Sequence, residues 1–154
     1  MRRHPTSFLA YRRCRFVTQL PLVYVYTRSH YWMRRGQGQK WRIGLTKFGT
    51  RLLGEMVEYG FSVEVATEIV PGQVIGWLEG FKALSDLVSP LRGTFAGSNP
   101  ELKENITLLN RDPYGAGWIY AALGRPAADG MSARAYAAHL NQTIDRLRKA
   151  SGPK

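Results

Sequence analysis

The chain has 154 residues, of which 44% are hydrophobic, and a formal net charge of +11 at pH 7. This composition is that of a globular domain, and it excludes a fibrous or fully disordered protein. The lone Cys14 excludes an internal disulfide and a cysteine-based metal site, and the three histidines are scattered without metal-ligand spacing. No apolar stretch reaches the roughly 18 residues that a membrane-spanning helix needs.

The positive charge is concentrated in the N-terminal part of the chain. Residues 1–54 contain 12 of the 22 Lys and Arg residues and none of the 11 Asp and Glu residues, since the first carboxylate is Glu55. Residues 1–22 are rich in Arg and free of acid, so we expect a basic N-terminal extension. This extension is interpreted as a disordered arm or as a targeting segment of the mitochondrial type. A start codon placed too far upstream is a third explanation.

Residues 23–123 are predicted to form one mainly β domain. Short runs rich in β-branched and aromatic residues are separated by Gly and Pro, which favours a sandwich or barrel over a parallel α/β sheet. Thr46 is a favourable cap for a short helix over Lys47–Leu53, and Gly54 would end that helix. The predicted strands are Leu22–Tyr26, Lys40–Leu45, Met56–Val65, Val74–Leu78, Leu87–Ser89, Thr94–Ala96 and Ile119–Leu123.

The remainder of the chain is predicted to contain a loop, a linker and a helix. The loop spans Asn110–Trp118, and residues 124–131 form a linker rich in Gly, Pro and Asp. Residues 132–150 form a C-terminal amphipathic helix, because four apolar side chains recur at helical spacing. We expect its apolar face to pack on the same chain, with a partner interface as the alternative. That face consists of Tyr136, Leu140, Ile144 and Leu147.

A predicted hairpin around Lys82 is the most informative stretch. An apolar strand beginning at Val74 reaches Gly80, where a residue without a Cβ eases the turn, and a second segment leaves toward Pro90. A lysine at such a tip is held at its base and is free at its end, as an acylating enzyme requires, and acylation removes its charge. The alternative is a lysine that occupies the tip for solubility alone.

Several motifs around this hairpin occur in the order found in a known family, and from Gly72 to Trp118 they keep its register. On them the chain, from Tyr26 to about Leu123, resembles the glycine cleavage H protein family. The motifs are Tyr26-Thr27-Arg28-Ser29-His30-Tyr31-Trp32, Ile43-Gly44-Leu45-Thr46-Lys47-Phe48 with Leu53-Gly54-Glu55, Glu79-Gly80-Phe81-Lys82-Ala83-Leu84-Ser85-Asp86, Pro90-x-x-Gly93 with Asn99, and Asn110-x-Asp112-Pro113-Tyr114 with Gly117-Trp118.

The resemblance implies a fold and a chemistry. The fold is a lipoyl-type flattened barrel or sandwich of two small sheets, with Lys82 at an exposed turn. Lys82 would bear lipoic acid through an amide, and the long arm would carry an aminomethyl group between enzymes while the protein itself catalyses nothing. The residues implied for lipoylation recognition and for the cleft that receives the arm are Glu79, Gly80, Asp86, Ser29 and Tyr31.

The resemblance also implies partners and a compartment. The partners are a glycine decarboxylase, an aminomethyltransferase, a dihydrolipoyl dehydrogenase, and a lipoate ligase or lipoyl transferase. The expected location is the cytoplasm if the protein is bacterial and the mitochondrial matrix if it is eukaryotic. Neither a metal site nor a transmembrane segment is expected.

Two cleft positions depart from the family pattern. Tyr31 stands where the family has a glutamate that holds the amine of the loaded arm, and a phenol is neutral near pH 7. Gly80 stands where a serine is usual, whereas Ser29 and Asp86 match. Lipoylation is still expected, and a lipoyl carrier of another pathway, such as a lipoyl relay or sulfur-compound oxidation, is an alternative to glycine cleavage.

A hypothesis of a different class is an unlipoylated H-like interaction module. In that case the cationic residues 1–54, interleaved with aromatic residues, would bind RNA, an anionic membrane or a large assembly. A free-standing enzyme is poorly supported, because the sequence shows no acid–base pair or nucleophile constellation. The aromatic residues concerned are Tyr24, Tyr26, Tyr31 and Trp32.

The remaining candidate side chains are given structural roles. Trp32, Trp41 and Trp118 are expected in the core or at its rim. Trp77 is expected to pack in the core, with a place in the cleft of the arm as the alternative. His30 has no nucleophile beside it in the sequence, so we expect it to make a structural hydrogen bond.

Overall fold

The structure, a computed structural model, describes residues 7–151. This part of the chain contains eleven strands and four helices. In chain order they are β1 (Phe8–Arg13), β2 (Phe16–Pro21), β3 (Val25–Tyr26), β4 (Tyr31–Arg35), β5 (Lys40–Leu45), α1 (Lys47–Leu53), β6 (Met56–Phe61), β7 (Glu68–Ile69), β8 (Val74–Gly80), β9 (Leu84–Val88), β10 (Leu91–Ser98), α2 (Glu101–Glu104), α3 (Leu108–Arg111), β11 (Tyr120–Pro126) and α4 (Ala133–Ala150).

The strands form three antiparallel sheets. The largest has six strands in the order β3-β4-β5-β11-β10-β7, the second has three in the order β6-β8-β9, and β1 and β2 form a separate hairpin. The prediction of a mainly β fold is therefore confirmed. Among the residues that the structure describes no sheet closes on itself, so the sandwich alternative holds and the flattened barrel is wrong.

The main core lies between the six-stranded and three-stranded sheets. Its residues alternate along the strands with residues that face outward, as the period of a β-strand requires. Ile43 and Tyr120 come from the larger sheet, and Ile75, Leu78 and Leu87 come from the smaller one. All five side chains are essentially inaccessible to solvent.

A second apolar cluster lies on the opposite face of the six-stranded sheet. There the β1–β2 hairpin and α4 cover Trp32 and Trp118, which confirms that these two tryptophans are part of the core. The rings of Tyr26 and Tyr136 stack with their centroids 4.9 Å apart, which joins α4 to the sheet. Trp41, expected in the core or at its rim, is partly buried against the main core.

The N-terminal segment differs from the disordered arm that its composition suggested. Within residues 1–22, residues 8–21 form β1 and β2, because buried Phe16, Thr18 and Leu20 alternate with exposed neighbours along β2. The hairpin is tied to α4 by the Tyr11 hydroxyl, which donates to Asn141 Oδ1 at 2.7 Å. Residues 1–6 lie outside the described part of the chain. The expectation of a disordered arm is thus wrong for the hairpin.

Both helices expected from the sequence are present. Thr46 accepts a hydrogen bond from the amide of Gly49 at the start of α1, and Gly54, with φ at +81°, follows its end. Ser132 caps α4 in the same way. Three of the four apolar residues of α4 are buried on the body of the chain, whereas Leu147 remains 48% exposed. Docking on the same chain is confirmed.

The linker is shorter than predicted. Strand β11 pairs with β10 as far as Pro126, so it occupies the first residues of the interval 124–131. The loop expected at Asn110–Trp118 also begins later, because its first two residues belong to α3. No helix in the described part of the chain is long and apolar enough to cross a membrane.

Candidate functional site

Lys82 lies at the tip of the β8–β9 hairpin, as predicted. The turn is closed by a hydrogen bond from the amide of Gly80 to the carbonyl of Ala83 at 2.9 Å. The lysine is exposed. Its Nζ atom lies 3.4 Å from the carbonyl oxygen of Arg51, beyond the usual length of a strong N–H···O bond. The amine is therefore accessible to a modifying enzyme.

The end of α1 holds the backbone of this turn. The amide of Lys82 donates to the carbonyl of Leu53, and the amide of Phe81 donates to the carbonyl of Glu55, both at 2.9 Å. Two close approaches accompany these bonds. A Cβ atom on Gly80 would lie 2.1 Å from the Leu53 oxygen, and one on Gly54 would lie 2.9 Å from Lys82 Cγ. The base of the lysine is thus fixed while its amine is free.

Asn110 braces the same segment from the other side. Its Oδ1 accepts a hydrogen bond from the amide of Met56 at 2.9 Å, and its Nδ2 donates to the carbonyl of Gly54 at 3.1 Å. The sequence placed Asn110 in a family motif but gave it no role. Its contacts assign it to positioning the strand entry beside Lys82, and only the fold reveals this, because the partners lie more than fifty residues away in sequence.

The outer face of the three-stranded sheet extends from the turn as a mixed acidic and apolar surface. Across the strands Glu79 lies opposite Leu84, and Trp77 lies opposite Asp86. Leu84 is 69% exposed, and Phe81 beside the lysine is 80% exposed. Both predicted acidic residues, Glu79 and Asp86, are therefore brought to the same face of the hairpin that displays Lys82.

Trp77 belongs to this surface rather than to the core, which corrects the expectation. It is 39% exposed. Its ring lies over Gly60, where a Cβ atom would come within 1.9 Å of the indole. The register of β8 shifts between Val74 and Gly76, so the inward and outward sides exchange just before Trp77. The indole therefore forms an apolar platform on the hairpin surface.

Tyr31 does not line that surface, although the family pattern placed it in the cleft of the arm. It is buried, and its hydroxyl accepts a hydrogen bond from the amide of Val88 at 3.0 Å and lies 3.4 Å from the carbonyl of Asp86. Burial raises the pKa of Tyr31 above its ordinary value, so the phenol is neutral. Tyr31 supports β9 from beneath, because its large side chain fits between the two sheets.

Ser29 and His30 occupy the turn that precedes Tyr31. Ser29 is exposed, and its hydroxyl lies 3.2 Å from Thr27 Oγ1, which accepts a hydrogen bond from the amide of Tyr31. The structure thus keeps Ser29 on a loop separate from the hairpin of Lys82. His30 makes the expected structural hydrogen bond, with its Nδ1 2.8 Å from the hydroxyl of Tyr136.

The arrangement suits the display of an acylated lysine. One accessible amine stands on a rigid turn, next to exposed apolar rings and two carboxylates. The described residues contain no group of three or more His, Cys, Asp or Glu side chains that could hold a metal ion.

Comparison of the sequence with known proteins identifies one family. A sequence model described as "Glycine cleavage H-protein" matches residues 24–140. The glycine cleavage system H protein of Corynebacterium jeikeium is 34% identical over 125 residues, covering 79% of this chain and 98% of that protein. The protein of the same name from Mycobacterium leprae is 38% identical over 103 residues, covering 67% of this chain and 77% of its own length.

The fold leads to the same family. The crystal structure of a glycine cleavage system H protein from Mycobacterium marinum superposes with a TM-score of 0.71 at 28% identity, and it covers 79% of this chain and 99% of that one. The family match spans most of the chain and includes the hairpin of Lys82. The chain therefore belongs to the glycine cleavage H-protein family, whose members are carriers and not catalysts.

Proposed function

We propose that this protein is a lipoyl carrier of glycine cleavage, with lipoic acid joined to Nζ of Lys82 through an amide. The observation that carries this proposal is the turn itself, in which α1 fixes the lysine backbone and leaves the amine exposed. A modifying enzyme that reads shape needs a rigid base, and a carrier needs a free end. Tethering then supplies a high effective concentration of the arm near each partner enzyme.

The surface around the turn supports roles for its neighbours. Glu79 and Gly80 lie immediately before the turn and would present it to a lipoate ligase or lipoyl transferase. Asp86 is exposed on the next strand, where its carboxylate would hold the amine of a loaded arm. The indole of Trp77, opposite Asp86, would support the alkyl part of the arm through apolar contact.

The buried Tyr31 bears on the cargo. Since its phenol is neutral and lies beneath β9, it supplies no negative charge to a loaded amine. Asp86 would then be the principal anion of the cleft, and Ser29 would act from the neighbouring loop. The arm would carry an aminomethyl group between a glycine decarboxylase and an aminomethyltransferase, and a dihydrolipoyl dehydrogenase would reoxidise it. The bacterial origin of the relatives supports a cytoplasmic location.

The test is the intact mass of the protein after incubation with a lipoate ligase, ATP and lipoate. We expect the unmodified chain to gain one lipoyl group and the Lys82→Arg variant to gain none. Lys103→Arg is the matched control, because it removes another exposed lysine and should leave the gain unchanged. No gain under conditions that fully modify another H protein would refute the proposal.

A second step separates glycine cleavage from another pathway. The lipoylated protein is offered to glycine decarboxylase with glycine, and aminomethylation of the arm is followed by mass. Loading establishes the aminomethyl cargo. Lipoylation without loading would instead favour a carrier of a different pathway.

A further inference from the structure

A concave, strongly cationic surface lies at the tip of the β4–β5 hairpin, away from Lys82. It encloses about 680 Å³, a volume within the range of small-ligand sites, roughly 300–1,000 Å³. We call it the basic groove. It is lined by four cationic residues and one carboxylate, that of Glu101, so its charge is strongly positive. The cationic residues are Arg34, Arg35, Lys40 and Arg42.

The guanidinium groups of the basic groove are placed by the fold. Arg34 and Arg42 are direct partners on β4 and β5, so both side chains leave the same face of the sheet. The guanidinium of Arg42 lies 4.4 Å from the ring centroid of Trp118. Nε of Arg35 donates to the carbonyl of Gly38 at 3.2 Å. The strands and these contacts therefore bring the arginines to one surface.

The electrostatics of the buried Tyr24 include both Arg34 and Arg42. Burial raises the pKa of Tyr24 to about 12, and the charge and hydrogen bond of Arg34 act in the opposite direction. Arg42 acts on the same phenol through its charge.

The chemistry of the groove favours phosphate over a stacked base. An arginine fork matches two oxygens of a phosphate, and several arginines together suit a compact polyanion. The aromatic rings near the groove are covered, since Trp118 is 9% exposed and Tyr24 is 2% exposed. Such rings offer no open face on which a nucleobase can stack. Recognition here depends on charge and on bidentate hydrogen bonds.

We propose that the basic groove binds a diphosphate or triphosphate group, supplied as a free polyphosphate or as part of a nucleotide. The site is separate from Lys82. The groove is lined by no residue of α1 or of the β8–β9 hairpin, and it is the end of α1 that contacts the Lys82 turn. An occupied groove leaves the lysine accessible.

The test is calorimetric titration of the full chain with inorganic triphosphate and with ATP at physiological ionic strength. We expect saturable binding of one ligand per chain. The double variant Arg34→Gln/Arg42→Gln should weaken binding at least about tenfold, because each arginine makes charge-assisted hydrogen bonds. The matched control is Arg92→Gln/Arg125→Gln, which removes an exposed cross-strand arginine pair of β10 and β11 outside the groove and should leave affinity within about twofold.

A measurement on the unmodified protein removes any dependence on the folding of a variant. The indole N–H resonance of Trp118, beneath Arg42, should shift as triphosphate is added. Equal affinity for triphosphate and ATP identifies the phosphate chain as the ligand, and tighter binding of ATP identifies a nucleotide. Absence of saturable binding, equal weakening by the two double variants, or tighter groove-dependent binding of a DNA duplex or an acidic protein would overturn the proposal. Lipoylation of Lys82 is scored separately, so the two proposals fail independently.

Discussion

At position 80 the hairpin of Lys82 meets the end of α1 backbone to backbone. The Leu53 carbonyl occupies the space that a side chain at position 80 would need, at 2.1 Å from an ideal Cβ. The same carbonyl accepts the hydrogen bond from the amide of Lys82. The absence of a side chain thus permits the contact that fixes the base of the lysine.

The first prediction concerns this contact. Gly80→Ala should lower the free energy of unfolding by about 1–3 kcal/mol, because the added methyl group forces the turn away from Leu53. The rate of lipoylation of Lys82 should fall as well. Urea unfolding and a timed mass assay measure the two effects.

Gly36→Ala is the control for that substitution. A Cβ atom there would meet only the Lys40 oxygen, at an ordinary 3.4 Å. Its effect on the free energy of unfolding should stay below about 0.5 kcal/mol. Equal stability of the Gly80 and Gly36 variants would contradict the packing argument.

Sequence patterns predicted the local features of the site, but they did not predict which aromatic side chains face the core and which face the solvent. The caps of α1 depend on neighbouring residues, so Thr46 and Gly54 marked its ends correctly. The burial of Tyr31 could not be predicted, because its hydroxyl bonds to the amide of Val88, 57 residues further along the chain. Trp77 was placed wrongly because a register shift in β8 is invisible to an alternating pattern.

At the scale of elements, the β1–β2 hairpin extends the fold beyond the region that the family match covers. That match begins at residue 24, after β2. The hairpin nevertheless contributes Tyr11, Phe16 and Leu20 to the cluster beneath α4. The high arginine content of this segment suggested a disordered or targeting segment. The alternation of apolar and polar residues along β2 was therefore not recognised as a strand.

The second prediction tests whether the hairpin is part of the stable fold. Leu20 is fully buried, so Leu20→Ala should lower the free energy of unfolding by about 2–5 kcal/mol. Val17→Ala, on the same strand but 44% exposed, should cost less than about 1 kcal/mol. Urea denaturation of both variants measures the difference. A Leu20 variant as stable as the Val17 variant would show that the hairpin is not docked.

At the scale of the whole molecule, α4 is joined to the carrier domain through a buried polar contact. The hydroxyl of Tyr136 lies 2.7 Å from Thr46 Oγ1 and 2.8 Å from His30 Nδ1. The ring of His139 is 5.7 Å from that of His30. Burial, and to a smaller extent the charge of His139, lowers the pKa of His30 from 6.5 to about 4.

The third prediction follows from this lowered pKa. Between pH 6.5 and about 4 the unfolded chain binds a proton at His30 that the folded chain does not bind. The contribution of neutral His30 to the free energy of unfolding is therefore fully present above pH 6.5. It falls as the pH is lowered, by about 3 kcal/mol at pH 4. Unfolding free energies measured across this range should show the loss.

The His30→Asn variant isolates this contribution. Asparagine tolerates the positive φ of 76° at this position, and it does not titrate in this range. The variant should lose most of the pH dependence between 6.5 and 4. His139→Asn should retain most of it, because burial is the larger cause of the His30 shift. An unchanged slope in the His30 variant would contradict the assignment.

The contact between the hairpin and α4 has a consequence for biosynthesis. Tyr11 and its partner Asn141 are 130 positions apart, so a ribosome completes the hairpin long before it makes the helix that covers it. Until then Leu20 and its neighbours are exposed on a two-stranded ribbon, which is marginally stable alone. The hairpin can therefore be covered only after α4 has been synthesised, and the nascent chain passes through a stage in which this surface is open to chaperones.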